Sequence, residues 1–213
     1  SKDVTEFSLR HSKRFDVMDG YFFSALFNRG NEKKYKVFLE NPIGYIGWEN
    51  NGKDITVIGD VGSSLGCGMI NGRIHIKGSV DEGVGEGMLD GRIIITGDVD
   101  NHLGEGMQGG EIEVHGNGGN NLGYGMENGK IIIKGNAGSG VGLRMKNGEI
   151  IIRGNAGFGV GSFDPSYPEA WEWDQSKCTG RIYLEGDYGD FGEHIQCGDV
   201  YHKGKLIVKE GRM

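Results

Sequence analysis

The chain has 213 residues, enough for a real core and few enough for one domain, and 42 of them are glycine. Aperiodic glycine at that level would mark a low-complexity chain and glycine at every third place a collagen; neither describes this sequence. A formal net charge of −7 argues against a nucleic-acid surface, which needs clustered cations, and the lack of an 18-residue apolar run argues against a membrane span.

The first residues, SKDVTEFSLRHSKRFDV, lack the apolar core of a signal peptide, so a soluble, cytoplasmic protein is expected. Residues 16 to 30 predict a helix. Asp16 with Asp19 resembles a capping box, Met18, Tyr21, Phe22, Ala25 and Leu26 form an apolar stripe, and Gly30 can end it. Residues 1–40 thus read as an N-terminal capping segment with a helix and a strand. Its task would be to cover the near end of the repeat region, where unpaired strand edges and apolar core would otherwise face water.

Residues 41–213 carry the repeat. From Asp60 to Gly154 one 19-residue phrase recurs five times without a gap, each copy closing on a glycine after a short apolar tract: Gly78, Gly97, Gly116, Gly135, Gly154. Asn41 to Gly59 fits the same register, Asn155 to Gly186 fits with 13 extra residues (an insertion at about 163–175), and Tyr188 to Gly211 fits with additions, giving eight coils. A fixed period near 20 residues means a stack in which each unit covers its neighbour. Two short β-type tracts per unit, separated by Gly and Asn-Gly turns, make that stack an all-β parallel β-helix, roughly 38 Å long at about 4.8 Å per coil.

Aligned coils separate inside from outside. One inward column is Ile46, Leu65, Val84, Leu103, Leu122, Val141, Val160 and Phe191. Two more are Ile55, Ile74, Ile93, Ile112, Ile131, Ile150, Ile182, Leu206 and Val57, Ile76, Ile95, Val114, Ile133, Ile152, Leu184, Val208; their spacing of two puts both on one face of a strand. Glycine columns, Gly66 to Gly192 and Gly72 to Gly204, demand positive φ or close backbone approach. In the second column Asn71, Asp90, Asn128 and Asn147 precede the glycine, as residues that tolerate the left-handed conformation. Asp60, Asp98, Asn117, Asn136, Asn155 and Asp187 form a column able to hydrogen-bond along the stack.

Candidate chemistry is sparse. GVGEGM at Gly83 resembles a dinucleotide loop, but variants recur in every coil with no helix following. Met69, Met88, Met107, Met126 and Met145 share a column and read as core filler rather than a soft-metal site. His194, Cys197, His202 and Cys178 have no standard metal spacing, and neither they nor Cys67 indicate a zinc ribbon or disulfide framework. Glu86 and Glu105 read as a solvated face. No catalytic, cofactor-binding or metal residue is assigned, and no cofactor is expected. What stands out is the residue between the two inward positions of each strand: Thr56, His75, Ile94, Glu113, Ile132, Ile151, Tyr183, Ile207. The second half of this outward row is apolar, a candidate interface of Ile132, Ile151, Tyr183 and Ile207, with Trp171 and Trp173 of the insertion either covering it or sharing in the contact.

The repeat, of the form G-x-x-x-x-V/L-G-x-G-M-x-x-G-x-I-x-I-x-G-N/D, resembles the GXGXG domain family. That resemblance covers nearly the whole chain and implies a right-handed β-helix, as at the C-terminus of the glutamate synthase large subunit and in the β-helical subunit of formylmethanofuran dehydrogenase. RHSKRFDVMDGYFFSALFNRG followed by YKVFLENPIGYIGWENNGKDITVIGDVGSSLGCGM is similar in order and spacing to the glutamate synthase segment, although Asn41-Pro42-Ile43-Gly44 and Trp48-Glu49 depart from it. NGEIIIRGNAG, from Asn147 to Gly157, is at least as close to the dehydrogenase. In either family the domain carries no catalytic group. The resemblance therefore implies a non-catalytic scaffold that packs and spaces the catalytic subunits of an oxidoreductase or amidotransferase complex, with a homo-oligomer possible and no nucleic-acid or membrane partner. A tungsten or molybdenum formylmethanofuran dehydrogenase is the alternative owner. An independent enzyme or binding module, with a site near the aromatic insertion, is the competing class.

Overall fold

The structure, a computed structural model, describes residues 4–9, 17–161, 179–191 and 198–208. One sheet runs the length of the molecule: β1 (Val4–Leu9), β2 (Lys34–Leu39), β3 (Asn51–Ile58), β4 (Asn71–Lys77), β5 (Arg92–Ile95), β6 (Glu111–Val114), β7 (Lys130–Ile133), β8 (Glu149–Ile152), β9 (Arg181–Leu184), β10 (Asp199–His202) and β11 (Lys205–Val208) lie side by side in chain order. Every neighbouring pair is parallel except β10 with β11. Sequential parallel strands require the chain to circle back after each one, so the sheet is one wall of a β-solenoid of about eight turns. A second wall is marked by parallel bridges from Val61 through Val80, Val99, Gly118, Ala137 and Ala156 to Tyr188. At a third, Gly85 N–H donates to Leu65 O, Gly104 to Val84, Gly123 to Leu103 and Gly142 to Leu122, at 2.7–2.8 Å.

The inward columns fill the tube. Ile74, Ile93, Ile112, Ile131, Ile150 and Ile182 are fully buried, as are Leu65 to Val160 of the third wall and all five column methionines. Val61, Val80, Val99, Ala137 and Ala156 add a further buried column, on the second wall, that the two-tract reading leaves out. From Gly78 to Gly154 the closing glycines are required by contact rather than by φ: a Cβ on Gly135 would stand 2.6 Å from Gly116 O. The Asp/Asn column does bond along the stack, but chiefly side chain to backbone. Asn117 N–H donates to Asp98 Oδ1 (2.6 Å), Asn136 to Asn117 Oδ1 (2.9 Å) and Asn155 to Asn136 Oδ1 (2.8 Å), with Ser79 filling the rung between Asp60 and Asp98.

Three expectations are corrected. Asn71 and Asp90 are not left-handed; their glycines are, with φ of +103° at Gly72 and Gly91, while Asn71 Oδ1 accepts the Gly72 N–H at 2.6 Å. Asn128 and Asn147 likewise stay out of that region.

The helix, α1 (Val17–Arg29), crosses from β1 to β2 and buries Gly20, Phe23, Ser24 and Phe27, not the expected stripe. Phe22 is 64% and Leu26 39% exposed, and Ala25 also faces out. Close approach decides the face. Gly20 lies against the Gly44 carbonyl with no room for a Cβ, and Ser24 Oγ donates to Tyr45 O (2.8 Å) and accepts the Trp48 N–H (3.2 Å). Phe27 then closes the open end of the core against Tyr35, 4.7 Å between rings. Of the expected stripe, Tyr21 stacks on Tyr45 at 4.4 Å and the exposed Phe22 meets Phe23 edge-on at 5.8 Å; the Met18 side chain and Asp16 lie outside the described residues.

At the other end the last parallel strand is β10, with Val200 beside Ile182 and His202 beside Leu184. Residues 205–208 turn back antiparallel through Lys203 and Gly204, both at positive φ, so Leu206 is 45% exposed instead of buried. Gly204 belongs to that hairpin turn, and Gly198 takes its place in the column, against Gly180 O. Val208 is buried as expected, and Phe191 packs half-buried on the core; Gly192 lies outside the described residues.

Three substitutions test this frame. Ile112→Asp places an unpaired carboxylate between Ile93 and Ile131 and is expected to cost several kcal/mol in chemical denaturation, or to abolish soluble protein. Gly106 is left-handed (φ +59°) with open space around it, whereas Gly135 is crowded by backbone. Gly106→Ala should therefore cost about 1–2 kcal/mol of backbone strain, and Gly135→Ala about 3 kcal/mol, because a carbonyl locked in a ladder cannot swing aside. A reversed order would refute the stacking contact.

Candidate functional site

The outer face of the long sheet carries the side chains that the core does not claim. Strand register places Thr56, His75, Ile94, Glu113, Ile132, Ile151, Tyr183 and Tyr201 in one row, each beside its neighbour. Ile132, Ile151 and Tyr183 come together as expected. Ile207 does not join them: it packs against the core, and the place assigned to it belongs to Tyr201, stacked on Tyr183 at 4.9 Å and 13°. Trp171 and Trp173 lie outside the described residues, as do His194, Cys178 and Cys197. Every member of the row is half-buried, since parallel neighbours stand close enough to shield one another. A sequence signal for Tyr201 does exist: Gly198-Asp-Val-Tyr repeats Gly180-Arg-Ile-Tyr, a copy shortened to 18 residues.

Charged rows flank this apolar one. Two residues before it the sign alternates up the stack, Arg92, Glu111, Lys130, Glu149, Arg181, and neighbours pair: Arg92–Glu111 at 3.1 Å, Lys130–Glu149 at 3.5 Å, Arg181–Glu149 at 3.0 Å. Glu113 interrupts the apolar row itself. Its carboxylate meets Lys134 and Arg92 at 2.7 Å and His115 at 3.1 Å. The Lys134 hydrogen bond, helped by those of Arg92 and His115 and opposed by burial, lowers its pKa to about 2.

The N-terminal end of the face is cationic. Lys34, Lys36, Arg73 and His75, with Asp54 and Thr56, line an open concavity of about 370 Å³. Lys36 is bonded to Glu6 at 3.1 Å, and burial, then Lys77 and His115, hold His75 below its ordinary pKa.

Elsewhere the geometry runs to packing. Gly83, Gly85 and Gly87 are all left-handed within a turn and no helix follows them. Glu86 is exposed, and Glu105 bonds His102 Nδ1 at 3.0 Å. Burial, then Glu86 and Glu49, raises the Cys67 thiol pKa, away from the reactive thiolate. His202 points inward from the end of the core, its ring edge-on to Tyr188 at 5.0 Å. Among the described residues no cluster of three His, Cys, Asp or Glu side chains could hold a metal, and no helix is long and apolar enough to cross a membrane. A second apolar surface, unforeseen from the sequence, is the outward arc of α1, where Phe22 and Leu26 lie exposed and Trp48 is 36% exposed on the first coil.

The Glu113 cluster has a pH signature. A carboxyl held at about 2 when folded, against 4.5 as its ordinary value, contributes stability above pH 4.5 that is lost as pH falls toward 2. Glu113→Gln is expected to cost about 2 kcal/mol at neutral pH and to flatten the acid limb of the stability profile between those values. An unchanged acid limb would show that Lys134, Arg92 and His115 do not hold the carboxylate. The chain matches no model of a protein family and no curated protein, so a functional reading rests on this geometry and the repeat.

Proposed function

We propose that this chain is a non-catalytic β-solenoid scaffold of a glutamate synthase-type complex, packing and spacing catalytic modules. The observation that carries the reading is where apolar side chains are placed outside the core. They form two separate surfaces, the α1 arc with Phe22 and Leu26 at one end of the stack and Ile132, Ile151, Tyr183 and Tyr201 toward the other. Contiguous apolar surface on a stacked protein is costly unless something covers it.

Between them lies a body suited to holding distance. Nine strands from β2 to β10 span roughly 38 Å at about 4.8 Å per step, each bonded along its length to the next. Bending such a stack would break hydrogen bonds in three walls at once. The repeat's resemblance to the GXGXG domain supplies the kind of complex, with glutaminase and flavin modules as the partners on the glutamate synthase reading.

Phe22→Lys tests the end surface at a side chain that the core does not enclose. Stability is expected to stay within about 0.5 kcal/mol, while co-purification with the glutaminase or flavin modules encoded by adjacent genes weakens about tenfold or more. The same variant is to be run against formylmethanofuran dehydrogenase subunits where those are the neighbours. The purified chain alone should show neither glutaminase turnover nor flavin or pterin absorbance. Stoichiometric cofactor retained through purification would overturn the scaffold reading.

A further inference from the structure

We infer that the C-terminal half of the sheet's outer face binds a second copy of the chain, tail to tail, about a two-fold axis that runs along the strands between β8 and β9. The inference rests on reading this face as a contact surface, and it names the partner.

The unbroken apolar run of the row covers four strands, β7 to β10, with Ile94 set apart from it by Glu113, and an isologous interface must centre its axis on the patch it shares. Rotation about an axis parallel to the strands keeps position along the strand and reverses the order of coils. Ile151 then faces Tyr183 of the partner, and Ile132 faces its Tyr201. The two sheets meet with strands aligned, as packed sheets do.

Charge supports this arrangement. Arg153 and Glu185 lie two residues beyond Ile151 and Tyr183, on the same face, and their backbone N–H groups continue the ladder to Ile133 O and Ile152 O at 2.9 Å. Both are exposed and neither forms an ion pair among the described residues. Across the proposed axis Arg153 of each copy meets Glu185 of the other, so two exposed charges without an ion-pair partner among the described residues are paired twice; Lys134 comes opposite Lys203 of the other copy, each already paired within its own chain, to Glu113 and to Asp187. On the opposite flank Glu149 meets Arg181 in the same way.

The rival two-fold, parallel to the solenoid axis, puts each coil opposite the same coil with strand direction reversed. It would pair Glu149 with Arg153 and Arg181 with Glu185, but it would also set Arg73 against Lys77, and Lys130 against Lys134, in every dimer. The tail-to-tail arrangement instead carries the cationic N-terminal halves away from each other, beyond the partner's last coil. It also leaves both α1 arcs free at the far ends of a rod of two solenoids.

The test is sedimentation of the full chain across a dilution series, with melting followed in parallel. A concentration-dependent dimer is expected, with Ile151→Lys and Arg153→Glu each raising its dissociation constant about tenfold or more at unchanged melting temperature. Arg153→Glu combined with Glu185→Arg should restore association to within about threefold of wild type; the rival axis would leave the double variant at least as weak as the single one. A wild-type chain that stays monomeric throughout overturns the proposal. If Ile151→Lys in that monomer still loses the adjacent-gene modules, the scaffold reading survives and the self-contact does not. A dimer indifferent to these variants, or a fall in melting temperature with Ile151→Lys, which would mean that the face is covered from within the chain, also overturns it.

Discussion

Parallel hydrogen bonding between coils at a fixed 19-residue offset sets the terms for every side chain in this molecule, because it makes each residue's neighbour above and below the residue at its own position. Apolar residues gain from that rule: an isoleucine on an isoleucine buries both. Glycines gain too, since coils meet closely only where no Cβ intervenes. Polar side chains gain when they reach a backbone N–H of the next coil, as the Asp98–Asn117–Asn136 ladder does. Charges alone lose by it. Like stacked on like would repel, and the chain answers by alternating sign from Arg92 to Arg181 so that the same stacking becomes attraction.

A stack satisfies every coil except the first and the last, and the two ends are solved differently. At the N-terminus a helix is laid across the opening, and the residues that let it approach are small ones, Gly20 and Ser24, with Phe23 and Phe27 filling the space beyond. Lys53 locks the far end of that helix by donating from Nζ to Gly30 O and Glu32 O at 2.6 and 2.9 Å. At the C-terminus the chain reverses its last strand, so that the final ladder is antiparallel and the edge is a hairpin. Tyr188, Phe191 and His202 close the core behind it.

Period and inward columns are legible in the sequence because the rule that like stacks on like writes itself there as repetition. What repetition cannot carry is misread. The helix occurs once, and its widest apolar arc attracts attention, although the decisive requirement is backbone approach, which a glycine and a serine meet and Phe22 and Leu26 cannot. The last coil is masked by a better-looking tract: Leu206-Ile207-Val208 has the apolar density of a repeat strand, while Asp199-Val-Tyr-His, the true one, shows only one inward aliphatic residue. Asn71 and Asp90 suggest a left-handed backbone, which their glycine neighbours adopt more cheaply; the acceptor role they do play is not visible from composition. The candidate face is legible as a row through Tyr183, and its flanking charges become meaningful only once register fixes which of them oppose one another.

The outward row is the place where this fold asks least of the residue, and for that reason it is the place most informative about function. Thr56, His75, Glu113 and Ile151 all occupy the same position on the same kind of strand, so neither core packing nor turn geometry distinguishes them. Strand propensity favours Thr, Ile and Tyr alike and cannot account for an unbroken apolar run in one half beside a mixed row of Thr56, His75, Ile94 and Glu113 in the other. An isoleucine there is optional, and its exposure carries a cost that threonine would largely avoid. The boundary falls at Glu113, whose carboxylate is held by Lys134, Arg92 and His115, so that a polar cluster separates Ile94 from the unbroken apolar run that begins at Ile132. A solenoid whose coils are otherwise interchangeable has thus made two unlike ends, and the difference lies only in side chains that face away from everything the fold needs.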